Sequence, residues 1–270
     1  GDLWPTSIVA VGAIKKGFLI NFFERIELFL YRNSTRVASL TYAFKKNLVD
    51  RGVDSNKIDV VRNGVDVSRY QPMKQCIKLA SKYNIKNNFV VGYIGTHGMA
   101  HGLSNVLKVA EKLKYDKNII FLFVGAGADR DNLIKLSSDR NLPNTLFLPM
   151  QPKEKMRSIW SLCDIALVHL KNNPAFSEVI PSKIFEAMSM GLPILLNMPG
   201  GEARDIIEKE CLGIWVPPEN PEALSKSIKI LIEDKKLHKT LSQNCIAAAP
   251  RYSRSHQAQK MIDVFDKAIL

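Results

Sequence analysis

The chain has 270 residues, of which 46% are apolar and 24% charged, and its formal net charge is +12 at pH 7. This length and apolar content suit a folded protein with one large domain, or one and a half small ones, and not a disordered chain. The four cysteines form no CxxC pair and no apolar stretch approaches the roughly 20 residues that cross a bilayer, which argues against a disulfide scaffold, a zinc cluster and a membrane-spanning helix.

The excess of positive charge calls for a polyanionic partner or a solvated basic surface. Nucleic acid, a diphosphate ligand and an anionic lipid surface are the three polyanions to compare. The sequence has no basic helix of a DNA-reading motif, no aromatic run of the RNA-binding type and no zinc-finger spacing. We therefore expect no nucleic-acid partner, while the diphosphate and the lipid surface stay open.

The first distinctive segment, residues 10–23, mixes large apolar side chains with two lysines. These residues are Lys15, Lys16, Phe18, Leu19, Phe22 and Phe23. Such a composition suits an element that lies on an anionic membrane surface, and it equally suits a core helix of a larger domain. Both interpretations stay open.

Further along the chain, short apolar runs alternate with amphipathic stretches, which is typical of repeated βα units and a parallel sheet. The predicted strands are Arg36–Leu40, Ile58–Val61, Phe89–Ile94, Ile119–Val124, Thr145–Leu148, Asp164–Leu170, Pro193–Asn197 and Gly213–Val216. Apolar residues at helical spacing mark the core-facing sides of two helices, namely Leu103, Val106, Leu107, Ala110 and Leu113 in the first and Leu224, Ile228, Leu231 and Ile232 in the second. The predicted fold class is therefore α/β.

A turn-rich run from Asn63 to Pro72 follows the second predicted strand and marks a domain boundary. A complete set of βα units lies after this run, whereas only the end of one such set lies before it. The sequence therefore predicts one complete domain preceded by part of another.

The third predicted strand leads into a glycine-rich turn, Gly95-Thr-His-Gly-Met-Ala-His-Gly102. Turns of this kind bring backbone N–H groups close to phosphate, although glycine turns follow strands in many α/β proteins. The candidate phosphate contacts in this turn are Gly95, Thr96, His97, Gly98 and His101. A second glycine turn, Val124-Gly-Ala-Gly127, is interpreted as structural.

The most informative stretch, residues 178–193, contains two carboxylates eight residues apart around a predicted helix start. Pro181 suits the first turn of that helix and Ser182 its cap, so that free backbone N–H groups there would receive a diphosphate. Lys183 adds a full positive charge. Glu186, about one turn later, would accept hydrogen bonds from ribose hydroxyls. The combination predicts a sugar-nucleotide site, with a plain helix start as the alternative.

This stretch resembles the E-x7-E region of retaining GT-B glycosyltransferases of family 4. Its Pro-Ser-Lys-x-Phe-Glu run is similar to that of bacterial members that transfer N-acetyl-L-fucosamine or a related amino sugar. The resemblance spans nearly the whole chain and includes Asn63-Gly-Val-Asp66, Gly95 to Gly102, Val124 to Gly127, Pro181 to Pro193 and Gly200-Gly-Glu-Ala-Arg-Asp205.

The resemblance implies a GT-B type fold, with a Rossmann-like parallel sheet that has helices on both faces. Residues 1–66 would then be the end of an N-terminal, acceptor-side domain that is largely absent from this sequence. Residues 67–252 would form the nucleotide-sugar-binding domain. Residues 253–270 would be the closing helix that packs back toward the N-terminal domain.

In function, the resemblance implies transfer of a sugar, an N-acetylated amino sugar, from a UDP-sugar to a glycan or polyprenyl-linked acceptor with retention. The setting would be bacterial surface polysaccharide synthesis, such as O-antigen or capsule, in the cytoplasm and at the inner face of the plasma membrane. No DxD string or acidic triad marks a cation site, so we expect neither a metal nor another cofactor. The chain by itself is expected to be inactive.

The resemblance also implies roles for individual residues. Glu178 would face the sugar as the catalytic carboxylate, Met150 and Gln151 would contact the base, and the glycine turn would hold the diphosphate. The remaining donor-binding residues would be Ser182, Lys183, Ile184, Glu186, Gly200, Gly201 and Glu202. Two cations that the family places in the glycine turn are replaced here by Thr96 and His101, so Lys183 is expected to supply the missing charge.

Two other functions stay open. A GT-B-fold UDP-sugar epimerase would share the nucleotide pocket and convert the donor sugar itself. A nucleotide-binding module without turnover would use the same pocket and perform no chemistry.

Overall fold

The N-terminal part of the chain forms a small α/β unit. The computed structural model describes residues 17–269. This unit consists of helix α1 (Phe18–Asn33), strand β1 (Val37–Ser39), helix α2 (Tyr42–Asp50) and strand β2 (Ile58–Val60). Strand β1 pairs in parallel with β2. The unit has its own apolar core, which contains Val37, Phe44, Leu48, Val53 and Ile58.

The other six strands form one parallel sheet. They are β3 (Phe89–Ile94), β4 (Ile119–Val124), β5 (Thr145–Leu148), β6 (Ile165–His169), β7 (Ile194–Asn197) and β8 (Gly213–Val216). Their order across the sheet is β5-β4-β3-β6-β7-β8, and every neighbouring pair is parallel. All eight predicted strands are present, with differences of one residue at some ends.

The helices that follow the first unit cover both faces of this sheet. They are α3 (Ile77–Lys82), α4 (Ser104–Lys112), α5 (Arg130–Asp139), α6 (Met156–Trp160), α7 (Lys183–Ser189), α8 (Glu202–Lys209), α9 (Pro221–Glu233), α10 (Lys235–Ala248) and α11 (Arg254–Ile269). Neighbouring residues of one strand, such as Val90 and Val91, point into two different apolar cores. The strands therefore read as continuous apolar runs, because both faces are buried. The predicted α/β fold class is confirmed.

Helices α2 and α9 each begin at a residue whose side chain caps the helix. The Thr41 hydroxyl accepts a hydrogen bond from Phe44 N at the start of α2, and the Asn220 side chain does the same for Ala223 N at the start of α9. These contacts satisfy backbone donors that have no partner inside the helix. Both predicted core-facing stripes, in α4 and α9, lie in the apolar core.

The chain passes between the two parts of the molecule at two adjacent points. Val65 N donates to Tyr252 O at 2.9 Å, and Arg254 N donates to Val65 O at 2.8 Å. Helix α11 then reaches the N-terminal unit, where Lys267 Nζ lies 2.7 Å from Asp59 Oδ1. These contacts agree with a helix that packs back across the boundary. The division at residues 66 and 252 stays a prediction.

The turns after β3 and β4 touch through backbone atoms. Gly95 N donates to Val124 O at 2.9 Å, and His97 N donates to Ala126 O at 2.8 Å. A Cβ atom at Gly125, where φ is +152°, would lie 1.9 Å from Gly95 O. Only glycine fits at position 125, because of both the contact and the backbone angle. The two turns therefore form one rigid backbone unit.

None of the helices within residues 17–269 has the length and apolar content that a bilayer crossing requires.

We predict that Gly125→Ala lowers the free energy of unfolding by roughly 2–4 kcal/mol, because the new methyl group meets backbone and a disfavoured φ. Gly98→Ala is the matched control in the partner turn. Its φ is −104°, and its Cβ would meet only side chains, the Thr96 methyl at 3.4 Å and the His101 ring at 3.7 Å. Urea unfolding of both variants measures the difference. Equal stability of the two would mean that the turns move apart freely.

Candidate functional site

A cleft of 420 Å³ opens at the carboxyl end of β3. In the sheet, β4 and β5 lie on one side of β3 and β6 to β8 on the other, so the strand order reverses at this point. Ligands of open α/β sheets bind where the order reverses, outside the carboxyl ends of the strands. The cleft is lined by Asp66, Arg69, Tyr70, Ile94, Gly95, Thr96, His101, Gln151, Lys153, Met156, Pro181, Ser182, Lys183, Glu186 and Arg254.

Lys183, the first residue of α7, places its ammonium group deep in this cleft. Its Nζ lies 3.8 Å from the centroid of the Tyr93 ring. It is shielded from solvent and has no hydrogen-bond partner within residues 17–269. A Cβ at Gly95 would lie 2.8 Å from Nζ, so the glycine makes room for the lysine. Burial lowers the pKa of Lys183 to about 7, while Glu186 acts in the opposite direction.

Glu186 lies about one helical turn after Lys183 and lines the same cleft. Its Oε2 accepts a hydrogen bond from Trp160 Nε1 at 3.1 Å. Burial raises the pKa of Glu186, although the Trp160 hydrogen bond and the Lys183 charge counteract it. The other oxygen, Oε1, makes no hydrogen bond in the described part of the chain, and it is free to accept hydrogen bonds from a ligand.

The two histidines of the glycine turn have different environments. His101 lines the cleft, and its Nδ1 lies 3.4 Å from His169 O. His169 Nδ1 in turn lies 2.5 Å from His101 O, so the ring of each histidine contacts the backbone carbonyl of the other. Burial lowers the pKa of both histidines to about 4. Both rings are therefore neutral at pH 7.

His97 does not line the cleft. Its ring is buried edge-on against Phe123 and Phe147, and neither of its nitrogens has a hydrogen-bond partner among the described residues. Burial lowers its pKa to about 4. The backbone of His97, which binds Ala126 O and accepts from Asp129 N, holds the two turns together.

The start of α7 differs from the sequence prediction. Ser182 occupies the cap position, but its side chain makes no capping hydrogen bond. Its φ and ψ of −59° and −27° are helical, whereas a capping residue is usually extended. Ile184 N and Phe185 N already donate to Pro181 O and Ser182 O. The expected free N–H groups are therefore largely occupied, and the positive charge at this place comes from Lys183.

Of the other predicted site residues, some line the cleft and some lie on the surface or in the apolar core. Gln151 lines the cleft, whereas Met150 is 74% exposed outside it. Ile184 is fully buried in the apolar core. Gly98 precedes a short 3₁₀ turn and does not reach the cleft wall.

Sequence reasoning missed several residues of the cleft wall. Arg69 and Tyr70 come from the segment that the sequence presented only as a connector, and Arg254 comes from the first turn of α11. Burial raises the pKa of Tyr70 to about 12, with a further contribution from Glu186, so its hydroxyl stays protonated. The density of charged and aromatic residues in the connector, 66–70, was the available signal.

Four more predicted site residues lie outside the cleft wall: Glu178, Gly200, Gly201 and Glu202. Glu178 ends a 3₁₀ turn, Pro174–Glu178, and its carbonyl accepts from Thr41 Oγ1 at 2.9 Å. A Cβ at Gly201 would lie 2.0 Å from Ser177 O, so this glycine allows the turn to pack against the start of α8.

Glu202 connects α8 to the N-terminal unit. Its Oε2 accepts from Tyr42 N at 2.8 Å, and its Oε1 accepts from Arg62 Nε at 2.8 Å and also from Arg62 Nη2. The Arg62 guanidinium lies 5.3 Å from the centroid of the Tyr42 ring. Both carboxylate oxygens of Glu202 are therefore occupied by protein groups.

Among residues 17–269, no group of three or more histidine, cysteine, aspartate or glutamate side chains is arranged to hold a metal ion.

We predict that Glu202→Gln lowers the free energy of unfolding by roughly 1–3 kcal/mol, because Arg62 loses a partly buried charged partner. The matched control is Glu208→Gln in the same helix. Glu208 pairs with Arg204, but those side chains are 50% and 39% exposed, against 12% and 25% for Glu202 and Arg62. The control should change stability by at most about 0.5 kcal/mol. Chemical denaturation measures both, and similar losses would contradict a connecting role for Glu202.

Comparison with known proteins relates this geometry to a family. The profile of the family described as glycosyl transferases group 1 matches residues 77–247. The chain is 26% identical over 219 residues to the putative colanic acid biosynthesis glycosyl transferase WcaI of Escherichia coli K12, a match that covers 78% of this chain and 52% of WcaI. It is 27% identical over 245 residues to the probable glycosyltransferase WbjE of Pseudomonas aeruginosa, over 86% of this chain and 58% of WbjE. The chain thus spans little more than half the length of these curated relatives.

Solved structures share the fold. HepE from Anabaena, in a complex with UDP, has a TM-score of 0.79 at 20% identity, over 90% of this chain and 66% of HepE. WaaG, a glycosyltransferase involved in lipopolysaccharide biosynthesis, has a TM-score of 0.75 at 16% identity, over 97% of this chain and 73% of WaaG. These neighbours confirm the predicted GT-B type fold. With the family profile matching well over half of its length, the chain belongs to the group 1 glycosyl transferases.

Proposed function

We propose that this chain carries the donor-binding part of a retaining glycosyltransferase that uses a UDP-sugar. The observation that carries the proposal is the pair Lys183 and Glu186. They lie three residues apart on α7, and both line the cleft where the strand order reverses. One is a buried cation and the other a carboxylate with a free oxygen, which are the groups that a diphosphate and a ribose require.

In the proposed complex, the diphosphate lies between Lys183 and the backbone of the turn at Gly95 and Thr96. Negative charge develops on the departing nucleotide during sugar transfer, and a fixed cation in the cleft stabilises it. Glu186 Oε1 accepts from the ribose hydroxyls, while Trp160 holds Oε2. Gln151 reaches the base. Arg69 and Arg254 add positive charge at the same wall.

Two findings support the choice of donor and pathway. HepE, which shares the fold, was crystallised with UDP and with UDP-glucose. WcaI, a relative at 26% identity, is described as a colanic acid biosynthesis enzyme. The Pro-Ser-Lys-x-Phe-Glu resemblance alone supports an N-acetylated amino sugar as the transferred group in this proposal. The description of WcaI supports surface polysaccharide synthesis. The lipid-linked acceptor, the O-antigen or capsule setting and the cytoplasmic compartment enter the proposal on the sequence resemblance. The family match favours transfer over epimerisation.

Glu178 is the sugar-facing carboxylate in this proposal. It is half-buried next to the Thr41 contact and lies outside the wall of the empty cleft. Its role therefore requires the turn Pro174–Glu178 to move toward the bound sugar. The cations of the cleft wall supply the charge that a metal would otherwise provide, so the proposed reaction uses no metal.

We predict that the chain binds UDP more tightly than GDP or ADP, and that Glu186→Ala weakens UDP binding by about 10- to 100-fold, the loss expected for a hydrogen bond to a charged group. Calorimetric titration measures both. Glu178→Gln is the matched control, because its side chain does not line the nucleotide cleft and should leave UDP affinity within about twofold. Absence of binding to all three nucleotides would contradict the proposal. In a separate incubation with a UDP-sugar and no acceptor, a change in the stereochemistry of the sugar would favour the epimerase.

We also propose that the segment 10–23 contacts an anionic membrane surface. Residues 10–16 of this segment lie outside the described residues. The rest begins α1, where Phe18 is 88% exposed and Phe22 49% exposed. Exposed aromatic side chains of this kind insert at the interface between lipid headgroups and acyl chains.

We predict that Phe18→Ser combined with Phe22→Ser abolishes co-sedimentation of the chain with vesicles that contain anionic lipid, because the apolar anchor is lost. Phe265→Ser is the matched control, since Phe265 is 60% exposed on α11. Unchanged pelleting of the double variant, or an equal loss in the control, would contradict contact through this segment.

A further inference from the structure

The ammonium group of Lys183 is buried with only partial compensation, from the Glu186 charge and the Tyr93 ring. Nζ has no hydrogen-bond partner within the described chain, and its nearest stabilising group is the face of the Tyr93 ring. A cation over an aromatic face gains about 0.5–2 kcal/mol. Removing an ammonium ion from water costs several kcal/mol. A bound anion would therefore stabilise the ammonium form of Lys183.

The groups around Lys183 do not provide that anion. On β3 and its turn these groups are Tyr93, His97 and His101, and on β6 the group is His169, all of them neutral at pH 7. On α7 the group is Glu186, whose Oε2 already accepts a hydrogen bond from Trp160 Nε1. The other charged residues of the cleft wall are Asp66, Arg69, Lys153 and Arg254. Arg130, at the start of α5, adds positive charge near His97.

The cleft wall therefore has four basic side chains, Lys183 included, against two carboxylates. Burial nevertheless lowers the pKa of Lys183, and the Glu186 charge offsets only part of this effect. Its pKa of about 7 leaves it about half charged at neutral pH. A diphosphate placed against Nζ would reverse this balance, since each nearby negative charge favours the ammonium form.

We propose that Lys183 is the charge-selective element of the donor site, and that it takes up a proton from solvent when a nucleoside diphosphate binds. This inference rests on the proposed function, because it assumes that the cleft receives the diphosphate. The step is a simple protonation: water or buffer gives a proton to the neutral amine of Lys183, and the resulting ammonium ion pairs with the phosphate oxygens. A nucleoside without phosphate brings no charge and should cause no uptake.

The direction of the pH dependence follows from the two states. Below about pH 7 the lysine is already charged in the empty cleft, so binding takes up no proton. Above pH 7 the bound form holds the proton that the empty form has lost. The number of protons taken up on binding therefore rises toward one. The affinity for UDP falls by up to about tenfold per pH unit, until the pH approaches the ordinary lysine pKa of about 10.4.

The test is calorimetric titration of this chain with UDP at pH 8 in two buffers with different ionisation enthalpies, Tris and HEPES. The difference between the observed heats gives the number of protons taken up. We expect about 0.9 proton, the neutral fraction of a lysine with a pKa near 7 at this pH. The buried histidines stay neutral at pH 8 and contribute little. Uridine serves as the uncharged comparison ligand.

Lys183→Arg is the matched variant, since a guanidinium keeps its charge at every pH used. It should bind UDP with no buffer-dependent heat, and its affinity should be nearly the same at pH 6 and pH 8. The wild-type affinity should fall about tenfold between these values. The ligand's own titration is the same in both proteins and cancels in the comparison.

The outcomes separate the two proposals. If UDP binds to the wild type without proton uptake, or if Lys183→Arg takes up the same number of protons, this inference is overturned and the donor site stands. If UDP does not bind at all, the proposed function itself fails. Lys183→Met should lose most UDP affinity at pH 6, where the wild-type lysine is charged, and unchanged affinity there would also overturn the inference.

Discussion

The close backbone contact between the turns after β3 and β4 is the constraint on which the candidate site depends. Gly95 and Gly125 meet with no side chain between them, and hydrogen bonds from one turn to the other fix their spacing. Because Gly95 has no Cβ, the Lys183 side chain fits beside it and over Tyr93. The position of the Lys183 ammonium group thus depends on the backbone of the turns after β3 and β4 as well as on α7.

The segment around Glu178 and Glu202, which we propose faces the sugar, is held by contacts with the N-terminal part of the chain. The 3₁₀ turn that ends at Glu178 is bound by Thr41, and the start of α8 is bound by Tyr42 and Arg62 through Glu202. These donors belong to the N-terminal unit or to the connector that follows it. The cleft that contains Lys183 and Glu186 therefore depends on the large sheet, whereas the segment around Glu178 and Glu202 depends on contacts between the two parts of the molecule.

The strands and the helix stripes were predictable from the sequence because a sheet buried on both faces leaves continuous apolar runs, and amphipathic helices leave a stripe. Lys183 and Glu186 were predictable because they share one short helix with a recognisable pattern. Ser182 occupies the predicted cap position, but the side-chain capping hydrogen bond is absent because its backbone is already helical. Arg254 and the burial of His97 could not be predicted, since each depends on a contact between segments far apart in the chain or on the direction of a side chain in a turn.

The pairing of Val65 with Tyr252 and Arg254 puts the entry and the exit of the large α/β part side by side. A domain whose two ends meet behaves as an insertion, and such units tolerate exchange because the host chain needs to span only a short gap. The segment between these positions is consequently suited to exchange as a single unit. Exchanging this segment between relatives at these two points would replace most of the cleft wall as one piece, with only two junctions to design.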